Sequence, residues 1–394
     1  MFINRFFKLA ARELKIVWSD WRLCVIIFCM PIAYTLLLGY LYLPKRVMHI
    51  PTYIIDKDKS SLSREITEAV KQSEYINVTK YVDSVDEFRH DNLMRKAYIC
   101  FVIPEGFERD IKKGKRVKVL GLIDGSSLLI SNTAYKVVAG VAGTYSAGVE
   151  MKKLRMKGTP GEHVLTAAMP IDTGVRTWYN PAYTYTDFIM PGLLGAVIQQ
   201  IVLIGVALAY AKERQHGLVP TVFKITSSPF EVLASKAILY TGINMFTSFV
   251  AFNIGFKVFG VRLHGSLFLI ELLLFTFIMM ICALGICVSV LCKDETFATE
   301  ILMLLSLPSF LLSGFAWPDF SMIPAIKIVS FILPLTHFVM PARTVINQNG
   351  DFSTIRADML WMWTVAAASY VVAYFVIRHV MATAKKQLIK DTAV

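Results

Sequence analysis

Three periods of apolar and polar residues follow one another along this chain. Six nearly uncharged apolar stretches, at residues 23–42, 188–211, 232–256, 266–291, 296–316 and 359–377, approach the length needed to cross a hydrocarbon core of roughly 30 Å. Between the first and second, the pattern becomes that of a globular fold. Short β-rich runs ("TYIID", "INVTKYV", "AYICFVI", "RVKVLGLI") alternate with helical ones ("SLSREITEAVKQS", "SVDEFRHDNLMRKA", "GFERDIKKG"), then a long helix from about Ser131 to Lys157, with Gly and Pro between them. The uncharged stretch 137–149 is too short to span and belongs to that helix. The prediction is a polytopic α-helical membrane protein with six transmembrane helices and an inserted extracytoplasmic α/β domain. Its divisions are an amphipathic helix at 1–22, the first span at 23–43, the α/β domain at 44–186 and the remaining spans at 187–394.

The third period is amphipathic. On a helix, Phe2, Phe6, Leu9, Ala10, Leu14, Val17 and Trp21 gather on one side, while Arg5, Lys8, Arg12, Lys15 and Arg22 fall on the other. That is the pattern of a helix lying in a membrane interface. Two interruptions stand out. In the loop 212–231, Pro220 can open a short helix and Pro229 stops its continuation. Val222, Phe223 and Ile225 would then project from a segment without a core of its own, to dock on a partner or to sink into the lipid interface. At "LPSFLLSGFAWP" the fifth apolar run stacks Ser313, Gly314, Trp317 and Pro318, and Pro324, Pro334 and Pro341 interrupt the apolar stretch beyond. Broken backbone at membrane depth must be buried in protein or line a cavity. Residues 313–342 are therefore expected to form short re-entrant helices and an outer lid.

Charge sets the orientation. The segments before residue 23, at 212–236, at Lys293 and after residue 377 hold fourteen Lys and Arg, against five in 257–265 and 317–358. By the positive-inside rule both termini are cytoplasmic and residues 44–186 lie outside. The first span is expected to remain as an anchor, because its apolar core exceeds a signal-peptide h-region and "GYLYLPKR" offers no small-x-small cleavage site. With 55% hydrophobic residues, the chain's formal charge of +12 reflects the membrane and not nucleic acid. Only Cys100 of the six cysteines lies in the α/β domain, so no disulfide can form within it.

Searches for chemistry fail one by one. "DKDKSS" begins like a calcium loop, but Ser61 stands where the turn needs Gly and Thr67 where a bidentate Glu is needed; it reads as a strand exit with Ser60 or Ser61 near a helix N-cap. No H-E-x-x-H, C-x-x-C or G-x-S-x-G occurs, and the single Gly-Lys pair, Gly114 with Lys115, is not a phosphate loop. Neither enzymatic catalysis nor bound metal is expected. Ion coupling would need ionisable groups deep in the membrane. Glu271 and Glu300 come nearest, and Glu271 is expected to pair with a base such as Arg262 or to snorkel.

In order and spacing, "IDKDKSSLSREI", "FVIPEGFERDIKKGK" with "LIDGSS", "RTWYNP", "MPGLLG", the loop from Lys212 and "LLSGFAWP" resemble permease subunits of the ABC type-2 exporter family. The likeness is to its bacterial branch with a large extracytoplasmic domain. It implies a half-transporter of the bacterial inner membrane that pairs with an identical or paralogous second half and moves an amphiphilic small molecule, drug or lipid-like substrate outward. ATP and Mg would sit on a separate ABC ATPase subunit, with a periplasmic adaptor as a further partner. Residues 1–22 become the connecting helix, and the loop with Pro220, Val222, Phe223 and Ile225 the coupling element. The second and fifth spans would line the path, placing Phe188, Gln199, Gln200, Met303, Ser306 and Phe310 on it; adjacent Gln199 and Gln200 cannot both face it squarely. Ser313, Gly314, Trp317 and Pro318 would form the outer gate. The competing reading is a non-transport scaffold, similar to secretion or phage-infection accessory proteins.

Overall fold

The computed structural model describes residues 2–170, 176–215, 222–223, 225–292 and 294–391. The chain divides into two compact units, Arg46–Arg176 on one hand and Met1–Lys45 with Thr177–Val394 on the other. Residues 44–45 and 177–186, assigned by sequence to the inserted domain, thus belong with the helices. Their hydrogen bonds explain it: the Tyr185 amide donates to the Lys45 carbonyl at 2.6 Å, and Thr186 Oγ1 donates to the Tyr42 carbonyl at 2.7 Å.

The chain opens with α1 (Phe2–Ser19) and α2 (Trp21–Leu41). Asp20 separates them, its extended backbone ending α1 while its carboxylate accepts from the Arg22 amide at 3.0 Å to start α2. Trp21 and Arg22 therefore join the first span and not the amphipathic helix. A π-helical turn, Val25–Cys29, interrupts α2.

Next comes the α/β unit: β1 (Ile50–Asp56), α3 (Ser61–Lys71), β2 (Ile76–Tyr81), α4 (Val85–Leu93), β3 (Ile99–Ile103), α5 (Phe107–Lys112), β4 (Leu120–Ile123), α6 (Leu128–Met156) and α7 (Gly161–Ala168). The sheet order is β2-β1-β3-β4, with β1 parallel to both neighbours and β4 antiparallel to β3. Strand β1 is central, so both of its faces are apolar. Ile50 and Ile54 join Ile66, Val70 and Phe101 in one core, while Tyr53 and Ile55 join Val82 and Phe88 in another across the sheet. Serines cap the helices: Ser60 accepts from the Ser63 amide at 3.1 Å and Ser84 from the Glu87 amide at 3.2 Å. Asp56 is spent on its own chain, accepting from the amides of Asp58 and Lys59 and from Ser63 Oγ at 2.7 Å, as fits a strand exit.

The remaining helices are α8 (Tyr185–Gln215), α9 (Pro229–Lys257), α10 (Leu267–Leu291), α11 (Glu295–Leu312), α12 (Pro324–Ile332), α13 (Thr336–Gln348) and α14 (Phe352–Asp391). Among the described residues, five helical segments (α2, α8, α9, α10 and α14) are long and apolar enough to cross a membrane, or six if the bent pair α12–α13 counts as one span. The fifth predicted span, 296–316, is shorter than expected, since its apolar helix ends at Leu312. Beyond it α12 and α13 meet at 84°, and α13 runs on to Gln348, past the predicted limit of 342. Helix α10 is the hub, packing on α8, α9 and α14.

Two polar contacts pin this unit together. His337 of α13 is buried and stacked on Trp361, with Nδ1 2.8 Å from Asp358 Oδ1 and Nε2 2.8 Å from the Phe331 carbonyl. Glu13 of α1 is buried against Lys236 of α9 at 2.7 Å, with Arg12 at 3.0 Å and the Tyr240 hydroxyl at 3.5 Å. The amphipathic helix is thus clamped to α9 by a desolvated ion pair, beyond a purely interfacial anchor.

Two outcomes are expected. Residues 46–170 expressed alone should give mixed α/β circular dichroism and cooperative unfolding, and Ile54→Ala should cost about 2–5 kcal/mol; an unfolded-chain spectrum would contradict the two-unit division. Lys236→Met should destabilise the detergent-solubilised protein by about 3–5 kcal/mol by stranding Glu13, whereas Glu13→Leu combined with Lys236→Met should recover most of that loss. Equal melting of single and double variants would show that the pair is uncoupled.

Candidate functional site

Helices α8 and α11 lie side by side, and their contact seam carries polar groups. Gln199 is fully buried, and its Nε2 donates to Ser306 Oγ at 3.4 Å. Ser306 Oγ in turn donates to Gln200 Oε1, also at 3.4 Å. Both glutamines therefore converge on one serine, because Ser306 sits astride the seam between two adjacent positions of α8. Gln199 Oε1 is left buried without a hydrogen-bond partner, a condition that typically costs about 1–3 kcal/mol.

Further along the same seam the lining becomes aromatic. Phe188 stacks on Phe315 with centroids 5.6 Å apart and planes at 18°, and Phe310 lies 5.8 Å from Phe315. The Arg343 guanidinium from α13 covers both rings, 5.2 Å from Phe188 and 4.9 Å from Phe315. The close approach needs Gly192, where an added Cβ would stand 2.5 Å from the Phe315 ring. Of the path residues expected from sequence, Phe188, Gln199, Gln200, Ser306 and Phe310 come together, whereas Met303, one turn before Ser306 on α11, is 37% exposed.

The break after α11 divides the four expected gate residues. Ser313 and Gly314 are buried, Trp317 and Pro318 exposed. The aromatic that turns inward is Phe315, 3% exposed against 58% for Trp317. Gly314 is required by its φ of +81°, and around it an added Cβ would meet only ordinary contacts, the nearest at 3.6 Å. The sequence reading named Trp317 and not Phe315, and the turn buries Phe315.

A second group of expected residues precedes α9. Val222 is buried in the helical core, and Phe223 and Ile225 pack half-buried against it. The chain itself thus covers Val222, which is no free docking group; Pro220 lies outside the described residues. Thr226 Oγ1 donates to the buried Glu231 carboxylate, Ser228 Oγ accepts from the Glu231 amide at 3.4 Å, and Arg5 of α1 lies 4.0 Å from Glu231. With Glu13 and Lys236, these contacts tie α1, residues 222–228 and the start of α9 into one assembly. Phe230, 57% exposed beside it, was missed because proline spacing drew attention to 220–229.

One further expectation is corrected by geometry. Arg262 serves Asp187, with its amide 3.1 Å from Oδ1 and its Nε 4.0 Å from Oδ2. Glu271 is therefore not its partner, and both Glu271 carboxylate oxygens are buried without a hydrogen bond. Burial pushes the Cys100 thiol up to about 12, which leaves it protonated and unreactive near neutral pH. Among the described residues, no group of three or more His, Cys, Asp or Glu could hold a metal ion.

The model of the family described as ABC-2 family transporter protein matches residues 21–375. Similar proteins include the probable multidrug ABC transporter permease YbhS of Escherichia coli K12, 25% identical over 330 residues, covering 83% of each chain. YbhR of the same strain, also named a probable multidrug ABC transporter permease, is 22% identical over 326 residues, or 83% of this chain and 85% of its own. The inner membrane transport permease YhhJ is 22% identical over 390 residues, 97% of this chain and 99% of its own. With its apolar spans and a match to the family model over most of its length, this chain belongs to the ABC-2 transporter family as an ABC-2 type permease, a membrane component and not itself a catalyst.

Proposed function

We propose that the chain is one half of an ATP-driven exporter that carries an amphiphilic small molecule, drug or lipid-like compound out of the cytoplasm or inner leaflet. The observation that carries this reading is the α8–α11 seam. It offers an aromatic and guanidinium layer over a buried amide–hydroxyl cluster, with the Gln199 carbonyl short of a donor. An amphiphile presents both kinds of surface, and a bound polar group would satisfy the glutamine. The sequence carries no phosphate loop, so ATP and Mg are assigned to a partner subunit. Work would enter through the assembly of α1, residues 222–228 and α9, with Phe223, Ile225 and Phe230 facing the ATPase. In this reading both termini are cytoplasmic in the bacterial inner membrane, residues 46–176 are periplasmic, the break at 313–318 is the outer gate, and a second permease half completes the path. A periplasmic adaptor would receive the substrate.

Truncating a buried aromatic interface anchor commonly costs about 2 kcal/mol or more, roughly thirtyfold in affinity. Phe223→Ala should weaken co-purification of the ATPase by about that factor, and Phe223→Asp by more because a charge must be desolvated. Membrane insertion should be unchanged. Retention of a coupled ATPase by both variants would favour a scaffold over a transporter.

Gly192→Leu should abolish export by driving a side chain into the Phe315 ring, while Gly192→Leu with Phe315→Ala should restore part of it. Export assays in vesicles with the ATPase present decide; unimpaired export by Gly192→Leu would remove the seam as the path.

A further inference from the structure

A cavity of about 720 Å³ opens within the α/β unit between α3, α5, α6 and the segment leading into β4. That volume is in the range of small-molecule sites, about 300–1,000 Å³. Its inner wall is formed by apolar residues of the core and its edge: Ile66, Phe101, Phe107 and Val141 line it. The space exists because α6 presents Ala142, Gly143 and Ala147 to it. At Gly143 an added Cβ would meet nothing within 4 Å, although Gly in mid-helix is unfavourable relative to Ala. A helix that served only to close this core would gain stability from a larger residue there.

The mouth is different in chemistry. Lys115, Arg116 and Lys153 border it with a single acid, Glu150, 3.6 Å from Lys153. Lys115 and Arg116 belong to "KKGKRVK", residues 112–118, the run that failed as a phosphate loop. The turn at Gly114, φ +75°, aims this run past the end of α5. Both side chains are exposed, so they reach a bound anion without a desolvation cost. An apolar interior with a cationic rim complements a molecule with a hydrocarbon tail and a negative head. At about 30 Å³ per water-sized group, the cavity holds on the order of twenty such groups, enough for one alkyl chain.

We propose that the α/β unit carries a binding site for a single-chain anionic amphiphile, its acyl tail in the cavity against Phe101 and Val141 and its acidic head at Lys115 and Arg116. This site is a property of the α/β unit and does not rest on the export reading.

The test uses the full-length protein in detergent and a long-chain fatty acid bearing a photoreactive diazirine near the tail end, with crosslinks mapped by mass spectrometry. Crosslinks are expected at peptides containing Phe101, Val141 and Val149, competed by unlabelled fatty acid. Gly143→Leu, which adds a side chain at the cavity wall where a Cβ would meet nothing within 4 Å, should lower this labelling at least about tenfold, the equivalent of about two buried methylenes. Labelling of the membrane helices should not change. The exposed double variant Lys115→Glu, Arg116→Glu should lower fatty-acid labelling but not labelling by a probe of equal chain length with a quaternary ammonium head. Labelling confined to membrane helices would overturn the proposal. So would unit labelling indifferent to Gly143→Leu, or labelling that survives Gly143→Leu and vanishes in high salt, which marks a surface patch for lipid headgroups.

Discussion

Hydrocarbon supplies no partner for a backbone amide or carbonyl, so each place where an apolar helix stops must bring its own. The breaks after α11 and within the α12–α13 pair meet this demand locally. Ser313 Oγ donates to the Phe310 carbonyl at 2.8 Å and accepts from the Phe315 amide at 3.3 Å. Thr336 Oγ1 takes the Ser330 carbonyl at 2.7 Å, and His337 takes that of Phe331. With those carbonyls satisfied, the chain can turn by 84° inside an apolar unit. The same turns place Phe315 and Arg343 over Phe188, so one constraint on backbone hydrogen bonding shapes both the break and the aromatic end of the seam.

Buried charge obeys a related rule. Glu13 and Lys236 each cost several kcal/mol to desolvate and are tolerable only together. Their pairing fixes the register of α1 on α9, and Arg5 with Glu231 extends the contact toward the segment 222–228. A helix whose exposed Phe7 and Trp18 suit an interface is thereby locked to α9. Displacing residues 225–228 would then act on α1 and α9 jointly, since Glu231 bonds Thr226 and Ser228 while it faces Arg5.

Hydrophobic length and turn chemistry made the helices, all four strands and the Ser60 cap legible in the sequence, because these depend on near neighbours. What escaped depends on distant pairing. Lys236 counted only as a flanking cation in a loop, since nothing local announces that Glu13, more than two hundred positions earlier, lies against it. Arg262 was matched to Glu271 by proximity in sequence, yet Asp187 reaches it from α8. Trp317 was named from sequence and Phe315 was not, although the turn at Gly314 buries the phenylalanine. Of the path residues named from the family resemblance, five lie along one seam, but periodicity alone treated Gln199 and Gln200 as exclusive. The serine between them comes from another helix.

Many hydroxyls and amides of the long helices bond back to their own backbone: Thr35 to the Pro31 carbonyl, Asn253 to Phe249, Thr276 to Leu272 and Ser309 to Leu305. Such groups are satisfied wherever their helix goes, so they impose no preference between arrangements of the bundle. Ser306 with Gln199 and Gln200 is of another kind, since its hydrogen bonds cross from α11 to α8 at 3.4 Å, near the long end of the normal range. Moving α11 away from α8 would break those bonds and leave polar groups in an apolar setting, unless a bound molecule or water replaced the lost partner. Separation of these two helices is thereby linked energetically to occupancy between them, which is what a path that opens only around its cargo requires.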